Sequence, residues 1–193
     1  SCINRLLVSH DLKPLDTLSQ YREVFTFPIE DYYKRVGFDF DKISFSMLAH
    51  EYMEDYQEKS YACDLHSDVL DVVNKAKNLG FSQTVLSASK MDYLLKQMET
   101  LHVDDLFDSI YGINDIYAKS KVELAHAFKQ TCSLDDEIYF VGDSVHDYEV
   151  AKSIGAKCIL VTTGHQNRAT LESVNVPVMD SLMESLDLIY ERD

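Results

Sequence analysis

The stretch Val141-Gly142-Asp143-Ser144-Val145-His146-Asp147 gives the strongest indication of both fold and chemistry in this sequence. It predicts a short apolar strand, a sharp turn at a glycine, and a helix that begins with two acids four residues apart. Asp143, at the strand tip, is suited to a hard cation, because Mg²⁺ is often held by one or two carboxylates together with phosphate and water. Asp147 could bind a metal-bound water or orient a neighbouring lysine. The alternative is that both acids only cap the helix, and we interpret His146 as a surface residue.

Short apolar strands alternate with amphipathic helices around this stretch, from about residue 66 to the end of the chain. Gly80 and Gly155 each follow a helical pattern and are predicted to end it. The predicted strands cover residues 84–87, 107–111, 138–141 and 158–161, with a further short one at 176–178. This alternation predicts an α/β fold with a Rossmann-like parallel sheet covered on both faces. Because such sheets bind ligands outside the carboxyl ends of their strands, the residues just after each strand are the candidates for a site.

Residues 1–65 have a different pattern, which predicts a small helical domain without a convincing strand. Ile3, Leu6 and Leu7 lie on one face of a predicted helix over residues 1–12. The segment is also rich in aromatic residues, namely Tyr32, Tyr33, Phe38, Phe40, Phe45, Tyr52 and Tyr56. We expect these rings to pack in the core of the domain, the alternative being a wall that faces a ligand. The predicted domains are therefore a helical one at 1–65 and an α/β core at 66–193.

The first predicted strand ends in Leu86-Ser87-Ala88-Ser89. Ser89 and Asp92 match a capping box, which predicts that a helix begins there. The hydroxyl of Ser87 and the free N–H groups beside it, including that of Ala88, suit a bound phosphate. The alternative is an ordinary helix N-cap without a ligand.

A lysine stands at another predicted helix start, in Ala118-Lys119-Ser120-Lys121-Val122-Glu123. Ser120 and Glu123 match a second capping box, which places Lys121 in the first helical turn. A cation there opposes the helix dipole by about 0.3–1 kcal/mol, and such a broken local rule near a strand end is a candidate for function. Lys121 could neutralise phosphate oxygens and the nearby acids. It could also be a solvated surface residue, and Lys119 is the competing candidate; we prefer Lys121.

The charge of the chain limits its partners. Lys plus Arg number 18 and Asp plus Glu number 33 among 193 residues, which gives a formal net charge of −15. This field disfavours nucleic acids and anionic membrane surfaces, and a small anionic ligand would need local positive charge from a metal, a lysine or a helix N-terminus. The four cysteines include no CxxC pair, and the sequence shows neither a secretory signal nor an apolar run that could span a bilayer. We therefore expect a cytoplasmic protein with reduced thiols.

Three signals follow one another along the chain: the strand-end Ser87, the helix-start Lys121, and the strand-end pair Asp143 and Asp147. Together they are much more specific than each is alone. In this order they resemble the motifs of the haloacid dehalogenase superfamily, in the branch that looks like phosphoglycolate phosphatases. The resemblance runs over essentially the whole chain, includes the stretch Thr163-Gly164-His165-Gln166, and implies that the predicted helical domain is a cap.

This resemblance implies a Mg²⁺-dependent phosphatase that hydrolyses a small phosphorylated metabolite through an aspartyl-phosphate, as a monomer or homodimer. Ser87, Ala88 and Lys121 would bind the phosphoryl group, Asp143 would bind Mg²⁺, and Asp147 would complete the catalytic set. A phosphomutase or a dehalogenase would use much the same scaffold, although dehalogenation needs no metal. A non-catalytic relative that binds a phosphorylated ligand is another alternative. A phospho-acceptor regulatory domain is disfavoured because that fold has no helical insertion of this length.

The first motif of the superfamily, DxDx(T/V) at the end of the central strand, is absent from the sequence. Its first Asp is the nucleophile and its second the acid/base. Asp39-Phe40-Asp41 is a tempting substitute, but the charges in the preceding Tyr33-Lys34-Arg35-Val36-Gly37 do not suit a strand buried on both faces. A parallel sheet without its central strand would expose two unpaired edges. We therefore expect the chain to be a fragment of a longer polypeptide whose upstream part encodes the motif.

Overall fold

The computed structural model describes residues 1–113 and 120–191. No helix within these residues is both long and apolar enough to cross a membrane. Two compact units are present, and we describe them separately. The helical unit consists of Ser1–Cys63 together with the short segment His165–Asn167, and the α/β unit consists of Asp64–Gly164 together with the residues from Arg168 onward.

Four helices form the helical unit: α1 (Cys2–Ser9), α2 (Leu18–Val24), α3 (Ile29–Arg35) and α4 (Phe45–Ser60). Hydroxyl caps begin two of them, because Thr17 accepts the N–H of Gln20 at 3.2 Å and Ser44 accepts the N–H of Met47 at 3.3 Å. The buried core consists of Ile3, Leu6, Leu7, Phe25, Tyr32, Tyr33, Phe38 and Leu48. The predicted apolar face of α1 is thus confirmed, and three of the predicted aromatic residues are buried in this core while Phe40, Phe45 and Tyr52 pack against it.

The α/β unit alternates helices and strands along the chain. Its elements are α5 (Val69–Asn78), β1 (Thr84–Lys90), α6 (Met91–Thr100), β2 (Ser109–Ile113), α7 (Lys121–Lys129), β3 (Tyr139–Gly142), α8 (Val145–Ser153), β4 (Lys157–Val161), α9 (Arg168–Glu172), β5 (Val178–Met179) and α10 (Leu182–Tyr190). Gly80 and Gly155 follow α5 and α8 with φ of +87° and +71°, the left-handed conformation that ends helices. Both predicted helix ends are therefore confirmed.

The strands are parallel but form two separate sheets in the described part of the chain. One sheet has the order β1-β2, and the other has the order β3-β4-β5. This confirms the predicted α/β fold with parallel strands. Strand β4 has a neighbour on each edge, whereas β1 and β3 each have a strand on one edge only.

Within the described residues, β1 pairs only with β2, and β3 pairs only with β4, and we call the region between the two sheets the inter-sheet gap. Leu86 of β1 and Phe140 of β3 pack against the same buried cluster, which contains Ala125 of α7 and Val150 of α8. Helices α7 and α8 also contact each other, so one helical layer extends from the first sheet to the second. Among residues 1–113 and 120–191, the two sheets are therefore joined by side-chain packing and not by pairing of their strands.

The structure shifts the boundaries of all five predicted strands, by one residue at β3 and β4 and by more at β1, β2 and β5, and β5 covers Val178–Met179 and not 176–178. Strand β1, which we predicted to end at Ser87, continues to Lys90, with a break in its register with β2 after Leu86. Strand β2 runs over Ser109–Ile113 and not over 107–111. Local apolarity located both strands, but their ends depend on pairing between the strands, which local sequence does not report.

Candidate active site

The turn from β3 into α8 is held by a network centred on Asp147. Ser144 is the N-cap of α8, and its hydroxyl accepts the N–H of Asp147 at 3.2 Å. In return, Oδ2 of Asp147 accepts the backbone N–H of Ser144 at 3.1 Å, the Ser144 hydroxyl at 2.7 Å and the backbone N–H of Asp143 at 3.0 Å. This is a reciprocal capping box. The predicted capping role of the acids is thus confirmed for Asp147, and the sequence pattern Ser-x-x-Asp could have identified Ser144, which our sequence analysis missed.

The other carboxylate oxygen of Asp147 binds Lys121, the first residue of α7. The Lys121 Nζ to Asp147 Oδ1 distance is 2.6 Å, and only 18% of the lysine side chain and 4% of the aspartate side chain are exposed. Burial by itself raises the pKa of Asp147, but the Lys121 ammonium and the hydrogen bonds from Lys121, Ser144 and Asp143 outweigh it and hold the pKa below its usual range. Lys121 is therefore not a solvated surface residue, and Asp147 orients a lysine, as one of our two alternatives proposed. Lys119 lies outside the described residues.

Gly142 has a different role from the one that we predicted. Its φ lies outside the left-handed region, so a turn does not by itself require glycine there. A Cβ on Gly142 would instead lie 2.3 Å from Cβ and 2.5 Å from Cγ of Asp147. Glycine is needed because the buried Asp147 side chain occupies the space of any larger residue.

Ser87 and Ala88 lie within β1, three and two residues before its end at Lys90, where the register with β2 is broken after Leu86. The Ser87 hydroxyl accepts the N–H of Ser89 at 3.1 Å, and Ala88 is exposed. Leu86 packs against the same cluster as Val122, the residue that follows Lys121. The structure thus brings Lys121, Asp143 and Asp147 together directly and sets Ser87 on the adjoining element.

Two predicted capping boxes do not form. The predicted helix start at Ser89 is wrong, because β1 continues to Lys90 and α6 begins at Met91 with Lys90 as its N-cap. Ser120 is the N-cap of α7, as predicted, but its side chain makes no capping hydrogen bond within the described residues. Lys121 is held by Asp147 and by proximity to the Phe140 ring, whose centroid lies 5.6 Å from Nζ.

Asp39 and Asp41, which we rejected as a nucleophile motif, lie in the connection between α3 and α4. Asp39 accepts the N–H of Asp41 at 3.1 Å and pairs with Lys42 at 3.2 Å. The structure confirms that no strand precedes them. His146 has a side chain that is 30% exposed and pairs with Glu149 at 3.3 Å, which agrees with a residue near the surface.

The carboxylates at this site suit a hard cation such as Mg²⁺ better than they suit zinc. No group of three or more His, Cys, Asp or Glu side chains within residues 1–113 and 120–191 is arranged to hold a metal ion. A structural or catalytic zinc site needs at least three protein ligands, whereas Mg²⁺ accepts one or two carboxylates and takes water and phosphate for the rest. Asp143 is half-buried at the end of β3, and the neighbouring Asp147 is engaged by Lys121. The donor set therefore fits Mg²⁺ and does not fit zinc.

Comparison with known proteins agrees with this fold. The sequence profile described as haloacid dehalogenase-like hydrolase matches residues 1–161. A haloacid dehalogenase-like family hydrolase from Streptococcus pneumoniae is similar, with a TM-score of 0.81 at 19% identity over 97% of this chain and 88% of that chain. A predicted phosphatase from Clostridium acetobutylicum gives a TM-score of 0.78 at 19% identity, over 98% of this chain and 89% of that chain.

A structure described as a predicted phosphoglycolate phosphatase, from Haemophilus somnus, gives a TM-score of 0.69 at 17% identity, over 97% of this chain and 88% of that chain. At such identities the structural likeness shows the fold alone. No curated protein matches the chain significantly.

Proposed function

Since the chain belongs to the haloacid dehalogenase-like hydrolases, we propose that it provides most of a Mg²⁺-dependent phosphatase that hydrolyses a small phosphate monoester such as phosphoglycolate. The observation that carries this proposal is the buried pair of Lys121 and Asp147 at the end of β3, next to Asp143. In a chain with a net charge of −15, a held ammonium at the strand ends gives the local positive charge that a phosphoryl group requires. The same net charge supports a small-molecule partner over nucleic acid or an anionic membrane, and we keep the cytoplasmic location as a proposal.

Each residue of the site has a proposed role. Lys121, the Ser87 hydroxyl and the N–H of Ala88 bind the phosphoryl oxygens, and Asp147 fixes the position of the Lys121 ammonium. Mg²⁺, held partly by Asp143, would screen the negative charges of the phosphate and the nucleophile. The nucleophilic carboxylate forms a bond to phosphorus as the ester P–O bond breaks, and the leaving alcohol takes up a proton. Water then attacks the aspartyl-phosphate, which releases phosphate and restores the carboxylate.

The nucleophile itself would come from a strand in the inter-sheet gap. Two observations support a strand there. In the part of the chain that the structure describes, β1 and β3 each have an unpaired edge, and Val141 of β3 is 37% exposed although parallel strands are normally buried on both faces. Leu86 and Phe140 already pack against one cluster, so helices cover one face of the gap. An added parallel strand would pair with both edges and end beside Ser87 and Asp143. A carboxylate at that end suits attack on a phosphoryl group bound by Lys121.

The proposed function can be tested by adding such a strand to the chain. An apolar segment of about six residues that ends in Asp-x-Asp is joined to Ser1, and phosphate release from a panel of small phosphate esters is measured with and without Mg²⁺. We expect release only from the extended chain and only with Mg²⁺, and we expect Asp143→Asn in that chain to abolish release while its circular dichroism spectrum stays unchanged. The matched control is the same extension with Asn in place of its first Asp, which should fold equally well and remain inactive.

The main alternative is a non-catalytic protein that binds a phosphorylated ligand. It is favoured by the absence, among the described residues, of a nucleophilic carboxylate at the ends of β1 and β3 other than Asp143. Binding of inorganic phosphate by the extended chain without any turnover would support this alternative against the phosphatase. Phosphate release that survives EDTA would contradict the role of Mg²⁺. Halide release from a halogenated acid, with no phosphate release from the esters, would instead indicate a dehalogenase. A phosphorylated product in place of free phosphate would indicate a phosphomutase.

A further inference from the structure

Gly164, in the loop that follows β4, differs from the glycines that the backbone requires. Gly37, Gly80 and Gly155 have φ of +110°, +87° and +71°, which is the region that L-residues avoid. The φ of Gly164 lies outside that region, so its backbone could accommodate any residue. The need for glycine at this position must therefore come from its surroundings.

The three heavy atoms nearest to that position all belong to one side chain. A Cβ on Gly164 would lie 1.8 Å from Oδ2, 2.2 Å from Cβ and 2.3 Å from Cγ of Asp143. Such distances are far shorter than any non-bonded contact between heavy atoms. Gly164 thus presents no side-chain atom to Asp143, and the Asp143 side chain occupies the space that a Cβ at position 164 would need.

Rotation of the Asp143 side chain could not relieve this overlap. A change of χ1 moves the carboxylate oxygens but leaves Cβ in place, and Cβ itself would be 2.2 Å from the new atom. The backbone of either the loop or the β3–α8 turn would have to shift. That turn is tied to the capping box through the Asp143 N–H, which donates to Asp147 at 3.0 Å. A side chain at position 164 would therefore displace Asp143 as a whole.

We propose that Gly164 is a positioning residue for the divalent-cation site, since it sets where the Asp143 carboxylate lies. This inference rests on the proposed function, in which Asp143 holds Mg²⁺. Gly164 touches no substrate and acts only through Asp143. The corresponding space at Gly142 is filled by Asp147, so each acid of the pair lies against its own glycine.

The test measures metal binding separately from activity. Mn²⁺ is used as the probe, and the free ion is followed by electron paramagnetic resonance during titration of the chain. We expect Gly164→Ala to weaken Mn²⁺ binding by roughly tenfold or more, as loss of support behind a metal ligand commonly does. The matched control is Gly155→Ala, which strains a left-handed backbone but has no atom within 4 Å of its new Cβ. It should lower the unfolding temperature and leave Mn²⁺ affinity unchanged.

Two further variants separate this inference from the proposed function. If Asp143→Asn leaves Mn²⁺ binding unchanged, the metal role of Asp143 is wrong and the proposed function loses its cation. If Asp143→Asn removes binding while Gly164→Ala binds Mn²⁺ normally, Asp143 is a ligand but Gly164 does not position it. Should Gly164→Ala fail to fold, the double variant Asp143→Gly with Gly164→Ala decides the matter, because it removes the overlapping Cβ. Recovery of folding supports the inference, and failure of the double variant to fold overturns it.

Discussion

Both units of this protein bury apolar residues completely, but two adjacent strands of the α/β unit differ in burial. In the helical unit, Leu7 and Leu48 are fully buried by their own neighbours. In the α/β unit, β4 buries Leu160 completely, whereas the adjacent β3 leaves Val141 37% exposed. Both strands are apolar, but within the described residues β4 has a strand on each edge and β3 on one. The apolar composition of β3 thus suits a strand inside a sheet. The exposure of Val141 agrees with a strand that has a neighbour on one edge only.

The largest expected effect on the free energy of unfolding comes from removal of the buried ion pair between Lys121 and Asp147. Lys121→Met leaves the Asp147 carboxylate, whose side chain is 4% exposed, without its cation. Removal of one partner of such a pair costs about 3–5 kcal/mol. The free energy of unfolding from urea titration measures this cost.

The matched control is Lys59→Met in the helical unit. Lys59 pairs with Asp55 at 2.7 Å, but the two side chains are 39% and 27% exposed. An exposed pair contributes less than about 1 kcal/mol. Equal losses of unfolding free energy in the two variants would contradict a larger contribution from the buried Lys121–Asp147 pair than from the exposed Lys59–Asp55 pair.

The dependence of stability on pH should come from the same pair. Because the pKa of Asp147 is lowered on folding, its contribution is complete above the unfolded pKa, about 3.9, and is lost as the pH falls through the folded pKa. The difference in unfolding free energy between the natural chain and Asp147→Asn should therefore be constant above about pH 5 and shrink on further acidification.

Asp39 in the helical unit is the comparison for this titration. The N–H of Asp41 and the ammonium of Lys42 also lower its pKa, but the Asp39 side chain is 47% exposed. Asp39→Asn should therefore change the pH profile much less than Asp147→Asn does. A larger change for Asp39→Asn would contradict the assignment of acid sensitivity to the buried carboxylate.

The sequence predicts the parts of the fold and site that depend on neighbours along the chain. Alternating apolar segments indicate the strands and helices, and the ends of α5 and α8 follow from Gly80 and Gly155. Lys121 is identified because a cation in a first helical turn breaks a local rule, and the structure gives the reason in Asp147. Each of these features depends on residues that are close in sequence, and each is found in the structure.

The remaining features depend on contacts between distant segments. Ser89 matches the capping-box pattern, but pairing with β2 keeps the chain extended to Lys90. The role of Gly164 follows from a contact with Asp143, on another loop, that periodicity cannot reveal. The division of the sheet likewise depends on which strands pair, since each strand alone has an ordinary apolar pattern.

A smaller effect is expected at the helix caps of the two units. Ser144→Ala removes a hydroxyl that accepts from Asp147 N–H at 3.2 Å and donates to its carboxylate at 2.7 Å. Loss of such a cap costs about 0.5–2 kcal/mol, and burial of Ser144 places it at the upper end of this range. The exposed cap Ser44 of α4 makes one such bond, and Ser44→Ala should cost less. Thermal unfolding of both variants checks this order, and the reverse order would contradict it.

The smallest effect is expected for Val141→Ala in the chain alone. Its cost should rise when an added strand occupies the inter-sheet gap. In the chain alone, Val141→Ala should cost less than about 1 kcal/mol, because the side chain is 37% exposed. In the chain extended by an apolar strand, the same substitution should cost about 1.6 kcal/mol, since it then removes two buried carbon groups at about 0.8 kcal/mol each. Val161→Ala in β4, where the residue is 4% exposed, should cost the same in both chains. If the cost at Val141 does not rise while the cost at Val161 stays fixed, the added strand does not lie against β3, and the exposure of Val141 needs another cause.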